Sequence, residues 1–260
     1  MLTMMSRLGA HVGKNALIEE ASTTASEVVQ IFLSSNRSWS EPSLSEEFLT
    51  ACRAYEGGIY VHAPYLVNPA SADPQVRKRS RRALIAQTEA ASRIGALGVV
   101  VHGGHVAGHG SLDDGMAGWL EVLDGWDPAV PLLIENTAGG DLAMARDFGV
   151  FARLFDALVT AGHRPGVCLD TCHAWAGGEA LLGSVDRLLR FAGGVDLLHV
   201  NDSRDGFGSA RDRHANLGAG EIPLDELLAV VSAAGCDAVV ETPNGAAAMA
   251  DDLALLRTRL

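Results

Sequence analysis

Residues 166–175 read GVCLDTCHAW. The apolar run Val167-Cys168-Leu169 stops at Asp170, and His173 follows three residues on. A short run that is continuous, not alternating, is how a strand buried on both faces of a parallel sheet reads. Its polar end is then either a solvated strand terminus or part of a site. The same pattern returns along the chain, in runs rich in Val and Ile at Arg7–Val12, Val28–Leu33, Gly58–His62, Leu97–His102, Val130–Glu135, Val195–Val200 and Asp237–Glu241. Segments of helical length separate them. Asp73–Gly95 and Asp141–Gly162 each open on Asp and close near Gly, as helices do, and Leu224–Ala234 and Ala246–Leu260 behave similarly. Segments 14–26, 43–56, 111–125 and 178–192 carry weaker helical character.

Strand–helix units of this number in 260 residues suit a (β/α)₈ TIM barrel, one domain spanning 1–260, with a doubly wound open sheet as the alternative. A hydrophobic content of 48% with scattered charge excludes a disordered chain. No apolar run is long enough for a membrane span, and Met1 to Ser6 leave no room for a signal peptide before the first strand, so a cytoplasmic protein is expected. Cys52, Cys168, Cys172 and Cys236 show no paired spacing, which suits a reducing compartment. A net charge of −12 taken alone argues against a nucleic-acid partner. Carboxylates that hold cations are, however, counted there as bare charges.

The carboxyl ends of the runs carry the chemistry. They present His11, Ser34–Arg37, His62, His102, Glu135, Asp170, His199 with Asp202, and Glu241. In a barrel these ends converge on one mouth, where active sites of this fold lie. A lone His at a strand end is usually structural. Six converging imidazoles and carboxylates (His62, His102, Glu135, Asp170, His199, Glu241) are a different matter, because that donor mixture suits zinc, manganese or iron. The carboxylates would repel one another without a cation. His173 lies just past Asp170, and "RDRH" at 211–214 offers Asp212 and His214 in a Gly-containing loop. Nine candidate ligands are too many for one four-coordinate ion and suit two or three. Such multi-metal sites are typical of phosphoester hydrolysis.

At these residues the chain resembles the endonuclease IV family, the metal-dependent apurinic/apyrimidinic endonucleases of base-excision repair. The carriers are GAHV (9–12), VHAPYLVN (61–68), VVVHGGH (99–105), LIENTAG (133–139), GVCLDTCHA (166–174), LLHVNDS (197–203), DRHANLGAG (212–220) and VVETP (239–243), so the likeness spans nearly the whole chain. It implies a TIM barrel holding three divalent ions, zinc foremost, with manganese or iron admissible at one position. His62, His102 and Glu135 would hold the first. Glu135 would bridge to a second held by Asp170, His199 and Glu241. His173, Asp212 and His214 would hold the third. Glu135, Asp170 and Glu241 are then the expected catalytic carboxylates. The implied reaction is hydrolysis, without a covalent intermediate, of the phosphodiester 5′ to a base-less sugar in duplex DNA. It leaves a 3′-hydroxyl and a 5′-deoxyribose phosphate, and blocked 3′ ends are trimmed as well. Arg37, Tyr65 and Leu66 match the family's DNA-wedge positions. A monomer with no membrane partner is expected.

Some residues depart from the family pattern. HGGH at 102–105 is shorter than in many relatives and lacks a proline, Ala219 replaces a frequent Glu, and the loop after His11 lacks a glycine pair. These touch substrate contacts more than chemistry. The run RKRSRR at 77–82 is not explained by the resemblance and reads either as a solvated basic face or as a phosphate-contacting patch. A sugar isomerase or epimerase on the same barrel is the competing function. It needs one or two ions, so the cluster His173/Asp212/His214 separates the two readings. A non-catalytic binding relative would not need an open site of nine ligands.

Overall fold

The computed structural model describes residues 7–108 and 110–260. Eight parallel strands close into a barrel: Leu8–His11 (β1), Val28–Ile31 (β2), Gly58–His62 (β3), Gly98–His102 (β4), Leu132–Glu135 (β5), Gly166–Asp170 (β6), Leu197–His199 (β7) and, after a small hairpin, Asp237–Val240 (β10). β10 pairs with β1, which pairs with β2, so no edge is left. The hairpin is Asp202–Ser203 (β8) against His214–Ala215 (β9), antiparallel. Every barrel strand coincides with one of the apolar runs, and the open-sheet alternative is excluded.

The helices are Leu17–Thr23 (α1, entered through a 3₁₀ turn at Lys14–Ala16), Glu46–Ala54 (α2), Pro74–Arg93 (α3), Leu112–Leu123 (α4), Phe148–Thr160 (α5), Thr171–Gly177 (α6), Ser184–Ala192 (α7), Leu224–Ala234 (α8) and Gly245–Arg259 (α9). Their starts have local causes. Asp73 caps α3 ahead of Pro74, and Ser111 with Asp114 forms a capping box on α4. Two expected helices begin later than their composition suggests. Residues 141–147 are not helical, because their backbone is used by the loop after β4: the Met144 N–H donates to the Gly104 carbonyl at 2.9 Å, and Ala143 bridges His105. α5 starts only where Asp147 accepts from the Val150 N–H. Likewise 178–183 is a loop, with Gly178 and Gly183 at left-handed φ values of 91° and 75°. His173 lies on α6, a short helix not anticipated from the sequence.

The alternation of each strand divides the core in two. Outward-facing side chains pack against the helices around the fully buried Trp119, Phe151 and Leu154. Inside the barrel a separate cluster of Val28, Tyr60, Val100, Leu133, Cys168, Leu197 and Val239 fills the lumen. Gly9 completes that layer, because a Cβ there would overlap the Val28 carbonyl. Below it, Arg7 pairs with Asp237 at 2.5 Å, and the Tyr60 hydroxyl donates to the same carboxylate at 3.1 Å. Two residues further along each strand the lumen turns polar. Side chains repeat with period two, so the layer above the apolar one consists of His11, Gln30, His62, His102, Glu135, Asp170, His199 and Glu241.

Candidate metal centre

Strand register brings these side chains to one level. His102 is the register partner of Glu135, Asp170 of His199, and His11 of Gln30. Ligand atoms in each of three groups lie within 4.8 Å of one another: His62/His102/Glu135, Glu135/Asp170/His199/Glu241 and His173/Asp212/His214. Their members coincide with the ligand sets that the family resemblance implies, although Glu135/Cys168/His199 and Asp170/Cys172/His214 meet the same distance.

In the first group, His62 Nε2 and His102 Nε2 each stand 3.1 Å from Glu135 Oε2. His62 Nδ1–H donates to the Ala63 carbonyl at 2.7 Å, which leaves the Nε2 lone pair facing inward. In the second, His199 Nδ1 faces Glu135 Oε1 at 3.0 Å, Glu241 Oε2 at 3.3 Å and Asp170 Oδ2 at 3.8 Å. Its Nε2–H donates to Gln30 Oε1 at 2.9 Å. Glu135 therefore turns one oxygen to each group. In the third, His173 Nε2 and His214 Nε2 both lie 3.1 Å from Asp212 Oδ1. Their Nδ1 atoms donate to the carbonyls of Asn136 (3.0 Å) and Glu241 (3.2 Å).

The donors fit a divalent ion. Tetrahedral zinc with bonds of about 2.0–2.2 Å separates its ligand atoms by about 3.3–3.6 Å. The buried His173 Nε2 and His214 Nε2 both face the single Asp212 oxygen without forming a well-shaped hydrogen bond to it, an arrangement that an ion taking both lone pairs would satisfy. The charges agree. Burial disfavours charge on His173 and His199, yet Asp170 and Asp212 beside the first, and Cys168, Glu241 and Glu135 beside the second, raise both well above the usual imidazole value. Burial likewise opposes ionisation of Glu135, but His102 and His199 hold it well below the usual carboxylate range. The pocket draws in positive charge, which is what a cation supplies. Burial pushes the thiols of Cys168 and Cys172 up to about 12, so both stay protonated and pack as small apolar groups.

The spacing of Asp170 and His173 has a local cause. Asp170 ends β6 and also caps α6: its Oδ1 accepts from the His173 N–H at 2.7 Å. The capping geometry places His173 on the far side of the turn, where it faces Asp212 instead of sharing the Asp170 group. His214 comes from β9, so the hairpin carries the third group over the mouth.

Three supporting residues, Gln30, Asn136 and Asn201, escaped the sequence reading. Gln30, fully buried on β2, also donates to Glu241 Oε1 at 2.6 Å, and His11 Nδ1 lies 2.7 Å from the same oxygen. Asn201 donates to Asp170 Oδ2 at 2.7 Å and accepts from the Glu241 N–H at 2.8 Å. The Asn136 side chain exchanges two bonds with the Asp170 backbone. Such partners orient ligating groups. Their only signal was an amide one or two residues past a strand end, or inside an apolar strand. Asp202, expected to join the mouth with His199, does not. Its carboxylate accepts from the backbone N–H groups of Ser203, Gly218, Gly220 and Ile222, clamping the 217–222 loop.

Tyr65 and Leu66 are exposed on the rim, and Arg37 is exposed on the loop after β2. The Tyr65 ring stacks on His102 (5.7 Å between centroids, 10° between planes), and its N–H donates to the Asn36 carbonyl at 2.9 Å, joining the two rim loops. A cavity of about 360 Å³ opens beside Tyr65, His102, His173 and Asp212. The basic run divides. Arg77 binds Glu121 at 2.8 Å, and Arg81 donates to the carbonyls of Val122 (2.5 Å) and Asp124 (2.8 Å) at the end of α4. These two are packing residues. Lys78, Arg79 and Arg82 remain exposed.

No helix among the described residues is long and apolar enough to cross a membrane. Residues 18–259 match the family model of xylose isomerase-like TIM barrels. The chain is 48% identical to "Probable endonuclease 4" of Mycobacterium bovis (strain BCG / Pasteur 1173P2) over 252 residues, covering 97% of this chain and 98% of the relative. Among solved structures, endonuclease IV from Thermus thermophilus superposes with a TM-score of 0.82 at 33% identity, covering 97% of this chain and 98% of the other. A D-tagatose 3-epimerase-like protein superposes at 0.74 with 21% identity, a likeness of fold alone. A shared barrel thus does not separate nuclease from epimerase, but identity sustained along nearly the whole chain does: the protein belongs to the endonuclease IV family, within the xylose isomerase-like TIM barrels.

Proposed function

We propose that this chain is a DNA-repair endonuclease that hydrolyses the phosphodiester 5′ to abasic sites in duplex DNA. It leaves a 3′-hydroxyl and a 5′-deoxyribose phosphate, and it also trims blocked 3′ ends. On this reading it acts as a cytoplasmic monomer with three divalent ions, zinc foremost. The single observation that carries the proposal is the third group, where the buried His173 Nε2 and His214 Nε2 converge on one oxygen of Asp212 at 3.1 Å without a well-formed hydrogen bond. A one- or two-ion sugar isomerase has no use for it.

His62, His102 and Glu135 would hold one ion, Glu135, Asp170, His199 and Glu241 a second, and His173, Asp212 and His214 a third. Such ions supply Lewis-acid polarisation of the phosphate and water activated at neutral pH. The chain's own residues do the rest. Glu135 spans the first two groups and fixes their separation. Gln30, Asn201 and Asn136 hold His199, Glu241 and Asp170 at their angles, so little reorganisation accompanies reaction. Tyr65 stands beside the first group with Leu66 exposed next to it in the chain, where apolar wedges can take the place of a lost base and favour the extruded sugar. Arg37 offers a cation on the adjoining loop.

The test is incision of a duplex bearing one abasic-site analogue, with and without chelator, beside metal analysis of the same protein. The expected result is a nick 5′ to the analogue, lost on chelation and restored by zinc. Metal-loaded protein that makes no chelator-sensitive nick overturns the proposal, and turnover of a ketose in its place would support the epimerase reading.

A further inference from the structure

Free positive charge is unevenly distributed over this molecule. In a barrel of this kind the strand C-termini and helix N-termini share the mouth, and the helix C-termini lie at the other end. Among the described residues, Arg37, Lys78, Arg79, Arg93, Arg164 and Arg190 neither pair with a carboxylate within 4.0 Å nor donate a side-chain hydrogen bond. Arg93 and Arg190 lie in the last turns of α3 and α7, and Arg164 precedes β6, so all three sit at the end away from the mouth. At the mouth, Arg211 and Arg213 are bound to Asp205, and Arg204 to the His214 carbonyl. The free cations there are Arg37, Lys78 and Arg79, all on the β2–β3 side.

On the same side a groove of about 220 Å³ runs between the 39–42 loop and α3, lined by Trp39, Glu41, Arg79, Arg82 and Gln87 among others. Arg82 reaches Glu41 only at 3.8 Å, with both side chains about three-quarters exposed (74% and 76%), a pair that water largely screens. Gln87 is 1% exposed, and its Oε1 has no partner, although its Nε2 donates to Ser34 Oγ at 3.0 Å. The helix separates its cations by face. Arg77 and Arg81, four apart, turn to α4, whereas Arg79 and Arg82, three apart, turn to the groove.

We propose that this groove anchors one arm of a DNA duplex, outside the incised position. Arg79 and Arg82 take backbone phosphates with bidentate geometry, Lys78 adds charge beside them, and Trp39 supplies an apolar wall to the sugar edge. The reading resolves how a chain of net charge −12 receives a polyanion: the duplex approaches from the side of the mouth where cations are free. It also gives the complex a direction, with one arm held and the other loose. The proposal rests on the reading of this protein as a DNA endonuclease.

The experiment measures binding to an uncleaved abasic-analogue duplex as a function of salt, for the metal-loaded protein and the triple variant Lys78→Gln/Arg79→Gln/Arg82→Gln. Loss of two to three phosphate contacts makes the slope of log K against log salt shallower by about 2–3, at about 0.9 per contact. The thermal midpoint of the variant stays at that of wild type, which shows that the fold is kept. Shortening one arm of the duplex brings wild type to the slope of the variant, and shortening the other does not. The triple variant Arg93→Gln/Arg164→Gln/Arg190→Gln, at the opposite end, keeps the wild-type slope. An unchanged slope in the first variant, or equal loss from either arm, overturns the groove while leaving the endonuclease reading intact. Absence of incision by wild type strikes that reading instead, and the binding slopes still report on the groove.

Discussion

Gln30→Leu tests whether an uncharged residue that touches no ion sets the metal affinity of this site. The substitution keeps the apolar volume on β2 and removes both polar ends of the amide. His199 Nε2–H then loses its acceptor at 2.9 Å, and Glu241 Oε1 loses a donor at 2.6 Å, though it keeps His11 at 2.7 Å. His199 and Gln30 are both 0% exposed, so water does not substitute for the amide. An unsatisfied buried donor costs about 1–3 kcal/mol. In the metal-loaded state the imidazole can also flip to place Nε2 inward, so Nδ1 is no longer fixed as the ligating nitrogen. Loss of such orienting partners lowers metal affinity about 10–100-fold, equivalent to about 1.4–2.7 kcal/mol at 1.36 kcal/mol per decade. Competition against a chromophoric chelator reads this directly. One ion of the set should weaken by that factor, while the ions of the other two groups are held as before. Cobalt substitution gives a second readout in the visible bands of the weakened position. Folded Gln30→Leu protein with wild-type metal stoichiometry and affinity would refute the reasoning, as would an equal weakening at all positions.

Glu241→Gln should fold and lose turnover on abasic-site DNA, because an amide oxygen replaces the carboxylate facing His199; near-normal turnover in the incision assay would contradict its role. The chelator-treated protein should have an asymmetric stability profile with pH. Burial opposes a proton on His214, but the Asp212 carboxylate 3.1 Å away and the charge of Asp170 raise it to about 9, above the unfolded value of about 6.5. A raised pKa contributes stability that is full below the unfolded value and lost as pH rises through the folded one. His173 and His199 shift in the same direction. The carboxylates Glu135, Glu241 and Asp212 are lowered, so their contribution is present above about 4 and lost as pH falls further. Thermal midpoints without metal should therefore be highest between about 4.5 and 6.5 and decline towards pH 9 and beyond. Bound metal, which keeps the imidazoles neutral, should flatten the alkaline side. Equal midpoints at pH 6 and pH 9.5 in the chelated protein would count against this.

The strands were legible because parallel barrel strands are buried on both faces and so become continuous apolar runs with abrupt polar ends. Strand polarity is common to all eight, so the residues at those ends could be assigned to one mouth without knowledge of any contact. Helix starts were less legible. Asp141 looks like a cap, but its segment lends backbone to Gly104 and His105, and the true cap is Asp147. In the basic run, five similar side chains divide by helical face into packing residues and exposed ones, and the division depends on where α4 lies.

The amino-acid sequence alone pointed to the barrel and to the imidazoles and carboxylates at its strand ends, since both follow from short continuous apolar runs with abrupt polar ends. Only the tertiary structure decided how those side chains are partitioned and held. Asp170 and His173 lie three residues apart yet face different groups, because the first caps the helix that carries the second. Asp202 falls at the mouth beside His199 by sequence and instead clamps a loop through four backbone N–H groups. Gln30, a polar residue inside an apolar strand, joins His199 and Glu241, which lie 169 and 211 positions away. Those distances along the chain are why no local pattern announced the contacts: they exist only once barrel closure brings β2 beside β1 and across from β7 and β10.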